Sequence, residues 1–265
     1  MGNFQNPLEL KQDQIVVWFA GVDRPLPEIK ELEALLSPQE TARAHRFCSA
    51  RDRDRYTVQH GVLRSLLAGY LGCAPGQVDM RSSANGKPCV VGREDEGSLQ
   101  FSVSHSDAFG AYAFTIVGSI GVDVEKICEF PDMLEIVEQH FTLRESHEML
   151  SCPEDQRLML FYRFWTRKEA VLKAQGEGLL RALGSVDVAT GEGIGPWKVS
   201  LADRTFAEEY LLADIEAPPG FCAAVAVASS LTSISISVNF MKDEKLTKFA
   251  PLDENNHHFI AETAK

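Results

Sequence analysis

Apolar residues come in short bursts along most of the chain, spaced at either the helical period of about 3.6 or the strand period of 2. Residues 14–20 (QIVVWFA) form a continuous apolar run and predict a first strand. Pro25 and Pro27 break the chain, and Ile29, Leu32, Leu35 and Leu36 then give residues 28–36 one inward helical face. Ser37-Pro38 is a helix start, with serine as N-cap, proline in the first turn and Glu40 in reach as capping partner. Val58, Val62, Leu63, Leu66, Leu67 and Tyr70 mark a longer helix that stops at Gly72. Asn85-Gly86-Lys87-Pro88 is a turn by composition. Residues 101–106 read as a strand with His105 near its end, and residues 111–117 and 120–124 as consecutive strands split by Gly118-Ser119. Pro131 opens a helical stretch over 133–140, and a Glu-rich helix follows Thr142. Pro153 precedes a long helix over 154–174 that ends at Gly176-Glu177-Gly178, glycine being the natural helix stop. Strands resume at 197–201, 209–212 and 221–228, and the chain beyond residue 240 is polar, without a predicted element, and a candidate for disorder.

Two stretches in this pattern carry candidate chemistry. In Gly121-Val122-Asp123-Val124-Glu125-Lys126, strand alternation sends Asp123 and Glu125 to one face, where two carboxylates can share a cation. In the long helix, Trp165, Glu169 and Lys173 stack at i, i+4 and i+8, while Phe161, Phe164 and Leu172 offer a core side. If that helix packs beside the strand, three carboxylates and a lysine converge. Hard oxygen ligands with no His or Cys among them suit Mg²⁺ shared with a phosphate substrate. Taken singly, each piece has a plainer reading. An Asp-x-Glu strand is commonly a solvated sheet face, and Glu169 with Lys173 an exposed ion pair worth about 0.2–0.5 kcal/mol.

Composition narrows the field. At 265 residues the chain suits one large domain or two small ones. A formal net charge of −12 argues against a sequence-independent nucleic-acid binder, which needs a basic footprint. No apolar run approaches the roughly 20 residues of a membrane span, and the N-terminus does not have the form of a signal peptide. Six scattered cysteines with no metal-type spacing read as free thiols in a reducing compartment, so a cytoplasmic protein is expected. Within this acidic chain Arg43, Arg46, Arg51, Arg53, Arg55 and Arg64 are a local exception. Asp52 and Asp54 interleave with them, so a solvated helix face is the competing reading.

The acidic stretches closely resemble the G-[IV]-D-[IV]-E and [FW]-[WS]-x-x-K-E-[AS]-x-x-K signatures of the 4′-phosphopantetheinyl transferases, and the length is similar to the surfactin-synthetase-activating (Sfp) branch. Two more motifs fall in the family's order, Ser37-Pro38 followed by a basic run, and Phe101-Ser102-Val103-Ser104-His105-Ser106, which resembles F-[NS]-[IV]-S-H-[ST] with Ser102 in place of the customary Asn. The resemblance covers roughly residues 14–230. It implies an α+β fold of two similar α/β halves related by a pseudo-twofold axis, here 1–118 and 119–240, followed by a 241–265 tail. The implied substrate is coenzyme A, with Arg43, Arg46 and Arg55 on its 3′-phosphate, Lys87 as a second phosphate contact, and Ser104 and His105 on the diphosphate. Glu40 departs from a lysine that some members carry. The implied metal is Mg²⁺ held by Asp123, Glu125 and Glu169, with Asp123 and Lys173 also bordering the coenzyme. Lys173 would steady phosphate charge, and Glu169, or else Glu125, would take the proton of the attacking serine. The implied partner is an apo acyl or peptidyl carrier protein, met by apolar side chains between Met133 and Leu150. A monomer that binds neither nucleic acid nor membrane is expected. Two other readings stand beside this one. A non-catalytic carrier-protein or coenzyme A binding module predicts a broken metal triad, and an acidic-triad nuclease needs a carboxylate-x-Lys strand that Glu125 and Lys126 do not form.

Overall fold

The computed structural model describes residues 8–83, 85–92, 97–176, 183–190, 193, 195–200 and 209–241, and the backbone of 257–262. In chain order the elements are β1 (Gln14–Gly21), α1 (Leu26–Glu33), α2 (Pro38–Ala44), α3 (Ala50–Leu71), β2 (Met80–Ser82), β3 (Pro88–Val90), β4 (Gln100–Ser106) and β5 (Phe109–Thr115). They continue with β6 (Ile120–Lys126), α4 (Met133–His140), α5 (Leu143–Ser151), α6 (Glu154–Gln175), β7 (Trp197–Ser200), β8 (Glu209–Asp214), β9 (Phe221–Ala228), β10 (Ser233–Phe240) and β11 (His257–Glu262). Two sheets carry the architecture, one ordered β11-β10-β1-β5-β4 and the other β6-β9-β8-β7, with β2 and β3 as a small separate ribbon.

Strand alternation builds four layers from these pieces. Ile15, Val17 and Phe19 of β1 and Ala111 and Ala113 of β5 face the other sheet, where Val122, Val124, Leu211, Val225 and Val227 meet them in a shared core. The residues between them turn the opposite way. Ala20, Tyr112 and Phe114 pack on Val58, Val62, Leu66 and Leu67 of α3. In the second sheet Tyr210, Leu212, Ala224 and Ala226 pack on Phe164, Val171 and Leu172 of α6. The order through the molecule is α3, first sheet, second sheet, α6, an α+β arrangement in which each half lays one 22-residue helix on its own sheet.

Local signals set the helix ends. Ser37 Oγ accepts from the Glu40 amide at 3.2 Å while Glu40 Oε2 accepts from the Ser37 amide at 2.7 Å, closing the capping box read from the sequence. α2 is short, however. The chain breaks over 45–49 and α3 starts afresh at Ser49, whose hydroxyl accepts from the Asp52 amide. Gly72 and Gly176 end α3 and α6 with φ of 65° and 80°, a left-handed cap that favours glycine. Gly178 and Leu179 of the family wording lie outside the described residues.

Two features depart from the two-half division. β10 lies within 119–240, yet it pairs in parallel with β1 of the first sheet, Val17 opposite Val238. Its sequence, SISISVNF, alternates strictly, so Ile234, Ile236 and Val238 enter the core between the sheets while the backbone covers an edge of β1 that would otherwise lack partners. Within the polar tail, residues 257–262 form β11, antiparallel to β10. Among the described residues no helix is long and apolar enough to cross a membrane.

Candidate active site

The site lies where the two sheets touch edgewise along β4 and β6. These strands are not paired through their backbones; side chains join them. Ser102 Oγ accepts from the Val122 amide at 3.1 Å, Ser104 Oγ donates to Asp123 Oδ1 at 2.8 Å, and Ser106 Oγ donates to Glu125 Oε2 at 2.7 Å. Ser106 Oγ also accepts from the Lys126 amide at 3.0 Å, so its own hydrogen is free for Glu125. Alternation on β4 is the cause, since it turns all three serines to β6. On the facing side α6 presses against β6, and it can do so only because position 121 is glycine. A Cβ there would collide with the Ala170 carbonyl and the Ala174 amide.

This close contact brings the predicted residues together. Val103, Ser104, His105, Asp123, Glu125, Trp165, Glu169 and Lys173 line one cavity of about 360 Å³. Lys173 Nζ donates to Asp123 Oδ1 at 2.6 Å and to Ser104 Oγ at 2.9 Å. Asp123 is 2% exposed, and its second oxygen, Oδ2, is buried with no hydrogen-bond partner among the described residues. Burial raises the Glu125 and Glu169 carboxyls above their usual range, and the Asp123 charge adds to both shifts. Among the described residues no side chain donates a hydrogen bond to Glu169, whereas Glu125 is held by Ser106.

A wider cavity of about 720 Å³ opens on the other side of His105, which lines both. Arg43 and Arg55 reach it, with Tyr56, His60 and Arg81. Arg43 also lies over the Tyr56 ring, 5.8 Å from its centroid. Arg55 is already engaged by Asp23, at 2.6 and 2.8 Å, and by Asp107 at 3.2 Å, which raises its pKa. Arg46 is exposed just past α2 and is not among the lining residues. Lys87 turns inward, donating to Ser119 Oγ at 2.9 Å and to the Ile120 carbonyl at 2.8 Å, and burial lowers its pKa to about 8. Among the described residues it makes no third bond, and it lines a third cavity of about 240 Å³ with Lys173 and Gly176. His105 is pushed down by desolvation first and by the Lys173 ammonium next.

Glu40, the acidic departure in the basic run, is neutralised where it stands. Burial alone would raise its pKa, but hydrogen bonds from His60, the Ser37 amide and Arg64 outweigh it and hold the carboxyl at about 2. Sequence reasoning missed His60 and Ser106. His60 carries no local signal, because its role depends on Glu40 twenty residues earlier. Ser106 did carry one, as the third serine of an alternating Ser-x-Ser-x-Ser strand.

The donor set fits Mg²⁺ in a particular way. Among the described residues no three His, Cys, Asp or Glu side chains already enclose a metal position. An unpartnered buried carboxylate oxygen with two further carboxyls on the same cavity still leaves negative charge to be met. Mg²⁺ is commonly bound by one or two carboxylates plus substrate phosphates and water, so a half-built shell is the expected form.

Comparison with known proteins finds relatives of both halves of the chain. The family described as "4′-phosphopantetheinyl transferase superfamily" matches residues 119–226, and "4′-phosphopantetheinyl transferase, N-terminal" matches residues 25–116, so the two meet at the Gly118-Ser119 break. The chain is 37% identical over 182 residues to the 4′-phosphopantetheinyl transferase HetI of Nostoc sp., covering 69% of this chain and 76% of that one. It is 28% identical over 209 residues to the 4′-phosphopantetheinyl transferase Sfp of Bacillus subtilis, covering 78% and 89%. It is 27% identical over 153 residues to the human L-aminoadipate-semialdehyde dehydrogenase-phosphopantetheinyl transferase, covering 54% and 49%. With both halves matched in order and the signature carboxylates and lysine on one cavity, the chain belongs to the 4′-phosphopantetheinyl transferase superfamily, in its Sfp-like type.

Proposed function

We propose that the cavity between β4, β6 and α6 is where this transferase moves the 4′-phosphopantetheine arm of coenzyme A onto a serine hydroxyl of an apo carrier protein. Transfer to carrier proteins with coenzyme A as substrate is the activity of the family; the placement of that activity in this cavity is our reading. The observation that carries it is the Lys173–Asp123–Ser104 cluster, in which Asp123 keeps one buried oxygen unpartnered.

Coenzyme A would lie along β4, with its diphosphate beside Ser104, His105 and Lys173 and its 3′-phosphate in the wider cavity near Arg43 and Arg55. Arg46 and the remaining donor of Lys87 are secondary candidates for phosphate contact. Asp123, with Glu125 and Glu169, would hold Mg²⁺, which when bound supplies charge neutralisation at the phosphates. Lys173 Nζ, already 2.6 Å from Asp123, would keep its charge against the phosphate that leaves as adenosine 3′,5′-bisphosphate. The serine hydroxyl must lose its proton as its oxygen bonds to phosphorus. Glu169 suits that role, because among the described residues no side chain donates to it, whereas Glu125 is tied to Ser106. The carrier protein would approach over α4 and α5, where Leu134, Leu143 and Leu150 are 53%, 92% and 53% exposed.

Intact-mass spectrometry of an apo carrier protein, incubated with this protein, coenzyme A and Mg²⁺, tests the reading. A mass gain of one phosphopantetheine arm, lost with EDTA and with Glu169→Ala, is expected. Full transfer by the Glu169→Ala variant would move the chemistry elsewhere.

A further inference from the structure

We infer that Ser119 is a positioning residue for the reacting centre, holding the last turn of α6 against β6 so that Lys173 and Glu169 stay in register with Asp123. The inference rests on the reading that Lys173 and Glu169 act at phosphorus.

Ser119 is the first residue of the second family match and touches three separate elements. Its hydroxyl donates to the Ala174 carbonyl and accepts from Lys87 Nζ at 2.9 Å. The direction is forced, since an ammonium only donates and the hydroxyl has one hydrogen to give. Its own carbonyl accepts from the Ala228 amide at the end of β9, at 2.8 Å. One side chain and its backbone thus tie together the β2–β3 turn, β9 and α6.

The tie falls where α6 is weakest. The last four carbonyls of a helix lack intrahelical partners, and Gly176 serves only Leu172, through its amide. Ser119 serves the carbonyl of Ala174, the residue next to Lys173. One turn further back, Gly121 lets the Ala170 carbonyl and the Ala174 amide rest directly on the β6 backbone. Without the Ser119 bond the helix end keeps its contact but loses the hydrogen bond that sets its height along β6. Lys173 must meet Asp123 and Ser104 at once, at 2.6 and 2.9 Å, and a shift of about 1 Å at its base carries Nζ beyond hydrogen-bond distance unless the side chain readjusts. Misplacements of about 1 Å cost up to 10²-fold in rate.

The test compares Ser119→Ala, Ser119→Cys and Ser119→Thr with wild type, using Glu169→Ala and Lys173→Ala as controls. Ser119→Ala is expected to lower kcat about tenfold, with KM for coenzyme A and for the carrier protein within about twofold. Ser119→Thr, which keeps the hydroxyl, restores most of kcat, and Ser119→Cys falls between. Hydrogen exchange adds a readout that does not depend on turnover: amides of residues 171–176 exchange faster in Ser119→Ala, while those of α3 do not change. If Ser119→Ala folds too poorly to assay, Ser119→Cys, which keeps the shape of serine with a weaker donor, carries the comparison against Ser119→Thr. Wild-type kcat in both Ala and Cys variants, with Glu169→Ala inactive, overturns the role of Ser119 and leaves the site standing. Full activity of Glu169→Ala and Lys173→Ala overturns the site itself. A rise in KM for coenzyme A at constant kcat would make Ser119 a binding contact and also defeat the inference.

Discussion

Lys168 and Glu169 are neighbours in sequence and opposites in surroundings. Lys168 points away from β6 and is completely buried. It donates to Glu145 at 2.7 Å, to the Leu183 carbonyl at 3.0 Å and to the Val186 carbonyl at 2.6 Å, so all three of its hydrogens are used. Glu145 is as fully met, by the amides of Thr142 and Val188, both at 2.8 Å. Glu169, about 100° round the helix, faces a cavity with two other carboxylates, one of them with an oxygen that no described residue meets. Both stretches take charge out of water, completely at Lys168 and Glu145 and in part at Glu169. In one the charges are satisfied within the protein, and in the other satisfaction is left to something that arrives. A saturated cluster is scaffold, and an unsaturated one is a place for chemistry.

Breaking each cluster separates the two roles. The largest effect is expected from Lys168→Met, which strands Glu145 as an uncompensated buried charge and costs about 3–5 kcal/mol in chemical denaturation. Replacing both partners by apolar residues of similar volume is expected to cost much less. Glu169→Gln should do the reverse. Transfer falls about 10²–10³-fold, some 3–4 kcal/mol of barrier, while the melting temperature stays level or rises, because a desolvated carboxylate beside Asp123 has gone. A lowered melting temperature with intact transfer would assign Glu169 to the scaffold.

Glu40 makes a third, milder case. Its folded pKa of about 2 lies below the ordinary 4.5, so its stabilising contribution is complete above pH 4.5 and lost as pH falls towards 2. Glu40→Gln should therefore cost about 2–3 kcal/mol at neutral pH and little near pH 2, read from denaturation midpoints across that window. A pH-independent cost would mean that shape, not charge, explains the position. The smallest effect belongs to Ser106→Ala. It frees Glu125 without touching Asp123, and should raise the Mg²⁺ needed for half-maximal transfer about tenfold at nearly constant stability. An unchanged Mg²⁺ requirement would remove Glu125 from the metal's surroundings.

Much of this was legible in the sequence wherever a signal was local. Alternation placed Asp123 and Glu125 on one face, helical spacing placed Trp165, Glu169 and Lys173 on another, and the Ser37–Glu40 capping box formed as written. What escaped reading depended on partners far along the chain. Lys87 reads as a turn residue and, by resemblance, a phosphate contact, and only folding turns its ammonium onto Ser119 and Ile120. Arg55 looked available to phosphate but sits between Asp23 and Asp107. β10 is a different kind of miss, since Ser-Ile-Ser-Ile-Ser-Val is as clear a strand pattern as any in the chain. Its parallel partner lies more than 200 residues earlier, and no short-range rule supplies such a pairing.

That late strand bears on how the polypeptide is made. During vectorial synthesis β1 emerges first, yet its parallel neighbour follows only after nearly the whole second half has left the ribosome. Until then one margin of the first sheet stays open, with Ile15, Val17 and Phe19 short of the cover that Ile234, Ile236 and Val238 provide. The two halves are therefore not independent folding units in time. A product ending at residue 226, where the family match stops, would carry every predicted catalytic side chain and still lack its closing stave.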